Sequence, residues 1–241
     1  KGEDSPPIDP PARIFDAHIH TVFEAAPLHP QLFRSEQELR QELKKVFEQH
    51  HIQGAASLGW WDGTSGQADL RDMGIVTCFG IGARLDSKVL RGIEERLRSG
   101  RAGCLKIYLG YIPRFATDPI YEPVYQVAMK YDVPVVFHTG DTYDPDARVR
   151  FADPLTLDEV AVQHRRMKIV LAHAGNPWLQ SGAEVLYKNS NVYADLSAFL
   201  LSDVSKDSPE KVASNLTRSI QWIWQFTEDP KKFMFGSDWP L

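Results

Sequence analysis

Five polar residues sit at the carboxyl ends of apolar runs: His18 and His20 in IFDAHIH, His138 in VPVVFH, His173 in KIVLAH and Asp238 in FMFGSDW. Imidazole nitrogens and carboxylate oxygens are metal donors, and apolar runs that stop at them gather the donors wherever strand ends converge. Histidines two apart on a strand point the same way, about 7 Å apart along it, so His18 and His20 can reach one cation. With His138 and Asp238 the set suits zinc, and also manganese, iron or cobalt. A metal with open positions would bind water and lower its pKa toward roughly 7, and Asp238 would take the proton and orient the hydroxide. One histidine on an apolar strand is more often a hydrogen-bonded core residue than a ligand. Four in matching positions point to a site.

Alternation within the runs sets the faces. Asp16, His18 and His20 share one face of their run, His138 falls on the face of Pro134 and Val136, and His173 on that of Ile169 and Leu171. The runs read as eight strands, near Arg13 to His20, Ile52 to Leu58, Ile75 to Gly82, Cys104 to Tyr108, Val133 to His138, Lys168 to His173, Asn191 to Leu196 and Lys232 to Gly236. Helices fit between them: one from a Ser35 cap through His50, with Glu38 as capping-box partner, and others near Ser87 to Ser99, Ile120 to Tyr131, Thr156 to His164, Gln180 to Lys188 and Pro209 to Phe226. A short helix over Thr64 to Asp72 is the weakest of these. Strand-helix alternation implies parallel strands with right-handed crossovers, and eight units close into a (β/α)8 TIM barrel. An open doubly wound sheet gathers ligands only at the strands flanking its switch point, whereas these ligands come from strands one, five, six and eight. The sequence ends three residues past Asp238, so the final helix is missing from it, and Phe233 and Phe235 would be covered by a longer chain or by a neighbouring subunit in a homo-oligomer.

At 241 residues, 43% hydrophobic and 24% charged, the chain suits one large α/β domain. Residues 1–12, rich in proline and charge, form an N-terminal extension, and residues 13–241 form the barrel. A net charge of -5, with both signs interspersed, gives no footprint for nucleic acid and favours a small-molecule substrate. Cys78 and Cys104 lie inside apolar runs with no close-spaced partner and read as buried thiols. No run approaches the roughly 18 to 20 apolar residues of a membrane helix. A cytoplasmic location is expected, with export after removal of a signal as the alternative.

The motifs HIH, HTG, AHAG and GSDWP, after strands one, five, six and eight, resemble those of the amidohydrolase superfamily. LKIYLGY, VVFHTGDTYD, IVLAHAGNPW and NVYADLS resemble in particular its amidohydrolase-2 branch, related to aminocarboxymuconate semialdehyde decarboxylase. The resemblance spans Phe15 to Leu241. It implies one divalent metal, zinc first, on His18, His20, His138 and Asp238, with His173 either near the metal or acting as acid and base on the substrate. It also implies cleavage of an amide, ester or lactone of a small organic acid, or alternatively nonoxidative decarboxylation of an unsaturated or aromatic acid. In binuclear superfamily members a carboxylated lysine on strand four bridges two metals. Lys106 should point inward, opposite Leu105 and Ile107, and a structural or substrate-positioning role is favoured for it over the bridge.

Barrel active sites are completed by loops at the carboxyl ends of the strands. Trp60, Trp61 and Asp62 follow strand two, Arg84 strand three, Tyr111 and Arg114 strand four, Thr139, Asp141 and Tyr143 strand five, and Asn176 and Trp178 strand six. An arginine among them would clamp a substrate carboxylate with paired hydrogen bonds. Asp195, near the end of strand seven, reads either as an orienting carboxylate behind a ligand or as a loop cap.

Overall fold

The computed structural model of the chain describes residues 13–21, 33–60, 68–199 and 206–240. Eight parallel strands follow one another in a single sheet: β1 (Ile14–Ile19), β2 (Ile52–Leu58), β3 (Ile75–Ile81), β4 (Cys104–Ile107), β5 (Val135–His138), β6 (Ile169–Ala172), β7 (Val192–Asp195) and β8 (Phe233–Met234). The β8 segment returns to β1. Ala17 N–H donates to Phe235 O at 2.9 Å, Asp238 N–H to His18 O at 2.9 Å and His20 N–H to Trp239 O at 2.7 Å. The sheet is thereby a (β/α)8 barrel and not an open doubly wound sheet, and the last residues of β1 and the GSDW turn are fixed to each other.

The helices around it are α1 (Glu36–His50), α2 (Ser87–Arg98), α3 (Glu122–Lys130), α4 (Asp158–Gln163), α5 (Leu179–Lys188) and α6 (Pro209–Thr227). Ser35 Oγ accepts from Glu38 N–H at 3.2 Å, but the Glu38 carboxylate takes the Arg34 N–H at 2.6 Å, one residue earlier than a capping box would have it. Both α3 and α4 start later than the sequence suggests because an Asp-Pro pair opens a 3-10 turn before each. Asp118 accepts from Ile120 N–H and Asp153 from Leu155 N–H, both at 3.0 Å. Of the helix expected over 64–72, residues 64–67 lie outside the described residues, as do Trp61, Asp62 and the extension 1–12. The chain between there and β3 forms a 3-10 turn at Arg71–Met73.

Alternation sorts the strand residues into two cores. Leu105, Ile107, Val135, Phe137, Ile169 and Leu171 pack outward beneath the helices. Leu58, Cys78, Cys104, Val136, Val170 and Ala172 fill the barrel interior below its mouth. The reading of Cys78 and Cys104 as thiols is corrected here. They face each other in the parallel β3–β4 register with Cα atoms 4.2 Å apart, and are joined as a disulfide. Their separation of 26 residues conceals a neighbour relation that only strand pairing creates. On the outer face of β8, Phe233 stacks on Trp224 of α6 at 5.9 Å, while Phe235 is 54% exposed beside Phe15 of β1 at 51%. No described helix is long and apolar enough to cross a membrane.

Candidate metal centre

His18 is buried at the end of β1, and its Nδ1 lies 2.9 Å from Asp195 Oδ2 on β7. A carboxylate oxygen accepts, so Nδ1 carries the proton and Nε2 presents a lone pair. His20 Nδ1 donates to the carbonyl of Leu58 at 3.0 Å, which again leaves Nε2 bare. Both nitrogens point at one atom: Asp238 Oδ1 lies 3.1 Å from His18 Nε2 and 3.3 Å from His20 Nε2. The ligand atoms of the three residues lie within 4.8 Å of one another. Oδ1 is buried with no hydrogen-bond partner among the described residues. Three lone-pair atoms facing one another without a proton between them repel unless a cation joins them, so the donor set fits a divalent metal.

The surrounding backbone is shaped to this end. Asp16 Oδ1 accepts from the N–H groups of His18 at 3.1 Å and Ser237 at 3.0 Å, tying β1 to the turn that carries Asp238. In that turn a Cβ on Gly236 would stand 3.0 Å from the Cβ of His18 and 3.1 Å from that of Ser197. A side chain there would push against the ligand and its network. Gly140, in HTG, adopts φ +90°, and a Cβ there would fall 2.1 Å from the carbonyl oxygen of Asn176.

His173 reaches the chamber against the alternation. Ile169 and Leu171, whose face it was expected to share, point outward into the helix-covered core. His173 follows β6 with φ 64° and Ala174 with φ 47°, and this left-handed pair turns the imidazole back over the barrel mouth. Asp238 at 62° and Ala198 at 50° share the conformation. Each such non-glycine residue costs of order 1–3 kcal/mol, and these four cluster at the site. A buried network holds His173 in place. Its N–H donates to Asp195 Oδ1 at 3.1 Å, and its Nδ1 lies 2.9 Å from Ser197 Oγ. Ser197 donates its hydroxyl to Asp195 Oδ1 and its N–H to the same oxygen. With that proton committed, Ser197 accepts from His173 Nδ1, and Nε2 of His173 faces the chamber. Asp195 therefore orients His18 and also braces the loop after β7.

Electrostatics favour neutral imidazoles beside ionised carboxylates. Burial holds His20 below, and His138 well below, the usual histidine value, and pushes His173 down to about 4. Burial is the strongest single influence on Asp195 and Asp238 and would raise both, but the surrounding histidines together outweigh it, His18 foremost, with His173 and, for Asp238, His20 adding to the effect, and both carboxyls lie well below the usual carboxylate range. Burial also pushes the Lys106 ammonium down to about 8, against the pull of Asp195 and Asp238, which leaves it mostly protonated at neutral pH.

The other side of the chamber is aromatic. Trp60 stacks on His20 at 4.7 Å, Tyr108 stands 6.0 Å from Trp60, and Tyr111 meets the His138 ring edge-on at 4.8 Å. His138 Nε2 donates to the carbonyl of Asp141 at 2.8 Å, which leaves Nδ1 as its free donor atom, and its ring lies 5.1 Å from that of His173. His138 is outside the compact group formed by His18, His20 and Asp238. Trp60, Lys106, Tyr111, Asp141, Tyr143 and Asn176 line the 90 Å³ chamber with the four histidines and Asp238. Arg84 and Arg114, expected at this mouth, do not line it. Arg84 is 87% exposed and paired with Asp86, the cap of α2, at 3.0 Å. Arg114 donates to the Ala83 carbonyl at 3.0 Å. Sequence reasoning passed over Ser197 and Tyr108, although each stands two residues beyond an inward-facing residue, Asp195 and Lys106.

The amidohydrolase family profile matches residues 15–241. The chain belongs to this family. Among solved structures it is similar to a probable 2-pyrone-4,6-dicarboxylic acid hydrolase from Acinetobacter baumannii with citric acid bound, at 13% identity and TM-score 0.64, covering 95% of this chain and 84% of that one. It is similar also to 5-carboxyvanillate decarboxylase from Sphingomonas paucimobilis, at 11% identity and TM-score 0.64, covering 96% and 89%. A third is an amidohydrolase from Burkholderia multivorans with bound zinc, at 15% identity and TM-score 0.64, covering 95% and 85%. A search of curated protein sequences finds no match. At these identities the likenesses carry the fold, and the chemistry is argued from the site itself.

Proposed function

We propose that the protein is a metal-dependent hydrolase that cleaves an amide, ester or lactone bond of a small organic acid. The observation that carries this is the convergence of His18 Nε2 and His20 Nε2 on Asp238 Oδ1, a buried oxygen with no hydrogen-bond partner among the described residues. These atoms, with Nδ1 of His138, are the proposed ligands of one divalent ion, zinc first, with manganese, iron or cobalt as alternatives. Bound there, the ion would supply Lewis-acid polarisation of a carbonyl and a water acidified to near neutrality. Asp238, kept ionised by its histidine neighbours, is the base that takes the proton of the attacking water. His173, neutral and presenting Nε2, carries a proton between chamber and leaving atom. Trp60, Tyr111, Asp141 and Asn176 shape the substrate side.

The second reading, nonoxidative decarboxylation of an unsaturated or aromatic acid, is supported by the likeness to a 5-carboxyvanillate decarboxylase, with His173 Nε2 then taking up a proton from water and passing it to carbon. A turnover screen of lactones, esters and amides against aromatic and muconate-type carboxylates, read by product mass, separates the two. Lactone products heavier by one water, or ester and amide fragments whose masses sum to substrate plus water, support hydrolysis, and products lighter by carbon dioxide replace it with decarboxylation. No turnover across the panel by fully metallated protein counts against both.

A further inference from the structure

We infer that Lys106 is the anion-binding residue of this site: the substrate carries a carboxylate, within a few bonds of the bond that reacts, which docks on the Lys106 ammonium at the floor of the chamber. The inference deepens the reading of the site as one that acts on small organic acids, and rests on it.

Lys106 occupies the middle of β4 with 0% exposure, its chain neighbours Leu105 and Ile107 turned outward into the apolar core. Its Nζ has no hydrogen-bond partner among the described residues, and the residue lines the chamber. A buried ammonium with three unused donors is costly, and native proteins keep such a group where something arrives to satisfy it. The nearby carboxylates do not: Asp195 is committed to His18, His173 and Ser197, and the chamber-facing oxygen of Asp238 is aimed at His18 and His20. The Tyr108 ring lies 5.1 Å from Nζ and covers one flank, which leaves the chamber as the open direction. With Arg84 and Arg114 turned away, Lys106 is the one Lys or Arg lining the chamber among the described residues.

The chemistry of the ligand is set by the groups around it. Across the chamber the His18, His20 and Asp238 set fits a dication, and two positive centres facing each other at short range are stabilised by an anion between them. Tyr111 and Tyr143 line the chamber with Lys106, so a carboxylate docked on the ammonium would leave the rest of the substrate against these rings.

The test is calorimetric, with acetate and its neutral isostere acetamide as probes on zinc-loaded and on metal-stripped protein. The wild type is expected to bind acetate in both forms, and Lys106→Met to weaken it roughly 10- to 100-fold, the worth of one charge-assisted hydrogen bond, with acetamide unaffected. Lys106→Arg, which keeps the charge, should retain acetate binding that Lys106→Gln loses, and this pair carries the comparison if the methionine variant does not fold. Equal acetate affinity in wild type and Lys106→Met overturns the inference. So does a carbamate carbon signal after labelling with ¹³C-bicarbonate, present in wild type and absent from Lys106→Met, because the lysine would then supply an anion instead of binding one. A protein that binds acetate through Lys106 yet turns over nothing in the substrate screen leaves this inference standing and removes the proposed function.

Discussion

On the β1, β6 and β7 side of the chamber, His18, His173, Asp195 and Ser197 form a closed network in which the wall-facing nitrogen of each histidine has a buried acceptor. On the β4 and β5 side, Lys106 and His138 stand among Trp60, Tyr108 and Tyr111, and Lys106 has no hydrogen-bond partner among the described residues. The first side fixes its tautomers before any ligand arrives, so its lone pairs are aimed in advance. The second side supplies shape and one unspent charge. In the proposed reading the first wall fixes His18 for the metal and His173 for the substrate, while the second adds His138 to the metal and otherwise receives the substrate.

The largest effect should come from the acceptor where both histidines point. Asp238→Asn removes the base but keeps an oxygen able to coordinate weakly, so it should retain part of its zinc and lose at least about 10² to 10⁴-fold in turnover. Metal content and kcat measured on the same preparation check this. Turnover near wild type would remove Asp238 as the base. Next comes the network behind the metal: Asp195→Asn should weaken zinc binding by roughly 10- to 100-fold, the usual cost of losing a partner that orients a ligand. Trp60→Phe, on the aromatic side, should leave zinc affinity unchanged and raise KM. If the two variants behave alike in a zinc competition assay, the division of labour between the walls fails.

The histidine pair at the boundary draws the line between the walls more finely. His173→Ala should spare metal more than His138→Ala does, since Nδ1 of His138 is proposed to bind the ion while Nε2 of His173 serves the substrate. Equal losses by atomic absorption would make His173 a ligand.

A separate effect concerns the metal-free protein. His173 titrates near 4 when folded, below the ordinary value of 6.5, so on acidification the unfolded chain takes up this proton first. The stability it contributes is present above pH 6.5 and is lost as pH falls from 6.5 through 4, with Asp195 and Asp238 adding further loss below the ordinary carboxylate value of 3.8. At about 1.4 kcal/mol per pKa unit, urea unfolding of zinc-free protein should show a drop of roughly 3 kcal/mol between pH 7 and 4 from His173 alone. A flat profile across that window would mean that His173 is not buried neutral.

The barrel was legible because short apolar runs alternate with amphipathic stretches along the whole chain, and four of the runs stop at a candidate ligand, a pattern that survives translation into a ring. Period-two alternation also placed Lys106 and His138 on the inner face, where the structure has them. It failed at His173 because left-handed residues at 173 and 174 break the alternation, and a sequence rich in Ala and Gly at AHAG does not announce which residue takes positive φ. Arg84 and Arg114 were misplaced for a different reason: loop position says which end of the barrel a residue occupies, but its partners, here Asp86 and the Ala83 carbonyl, decide where the side chain points. The Cys78–Cys104 disulfide depends on strand register, which spacing along the chain does not encode.

Both walls take their meaning from the one divalent ion proposed to sit among His18, His20, His138 and Asp238. Anomalous diffraction at the zinc edge from crystals of zinc-loaded protein measures this directly. One peak is expected, with Nε2 of His18 and of His20 and Nδ1 of His138 at roughly 2.0 to 2.1 Å and the Asp238 carboxylate as the further ligand. A histidine more than about 5 Å from the ion would drop out of the set, and a site with no peak between His18, His20 and Asp238 would contradict the proposed metal centre.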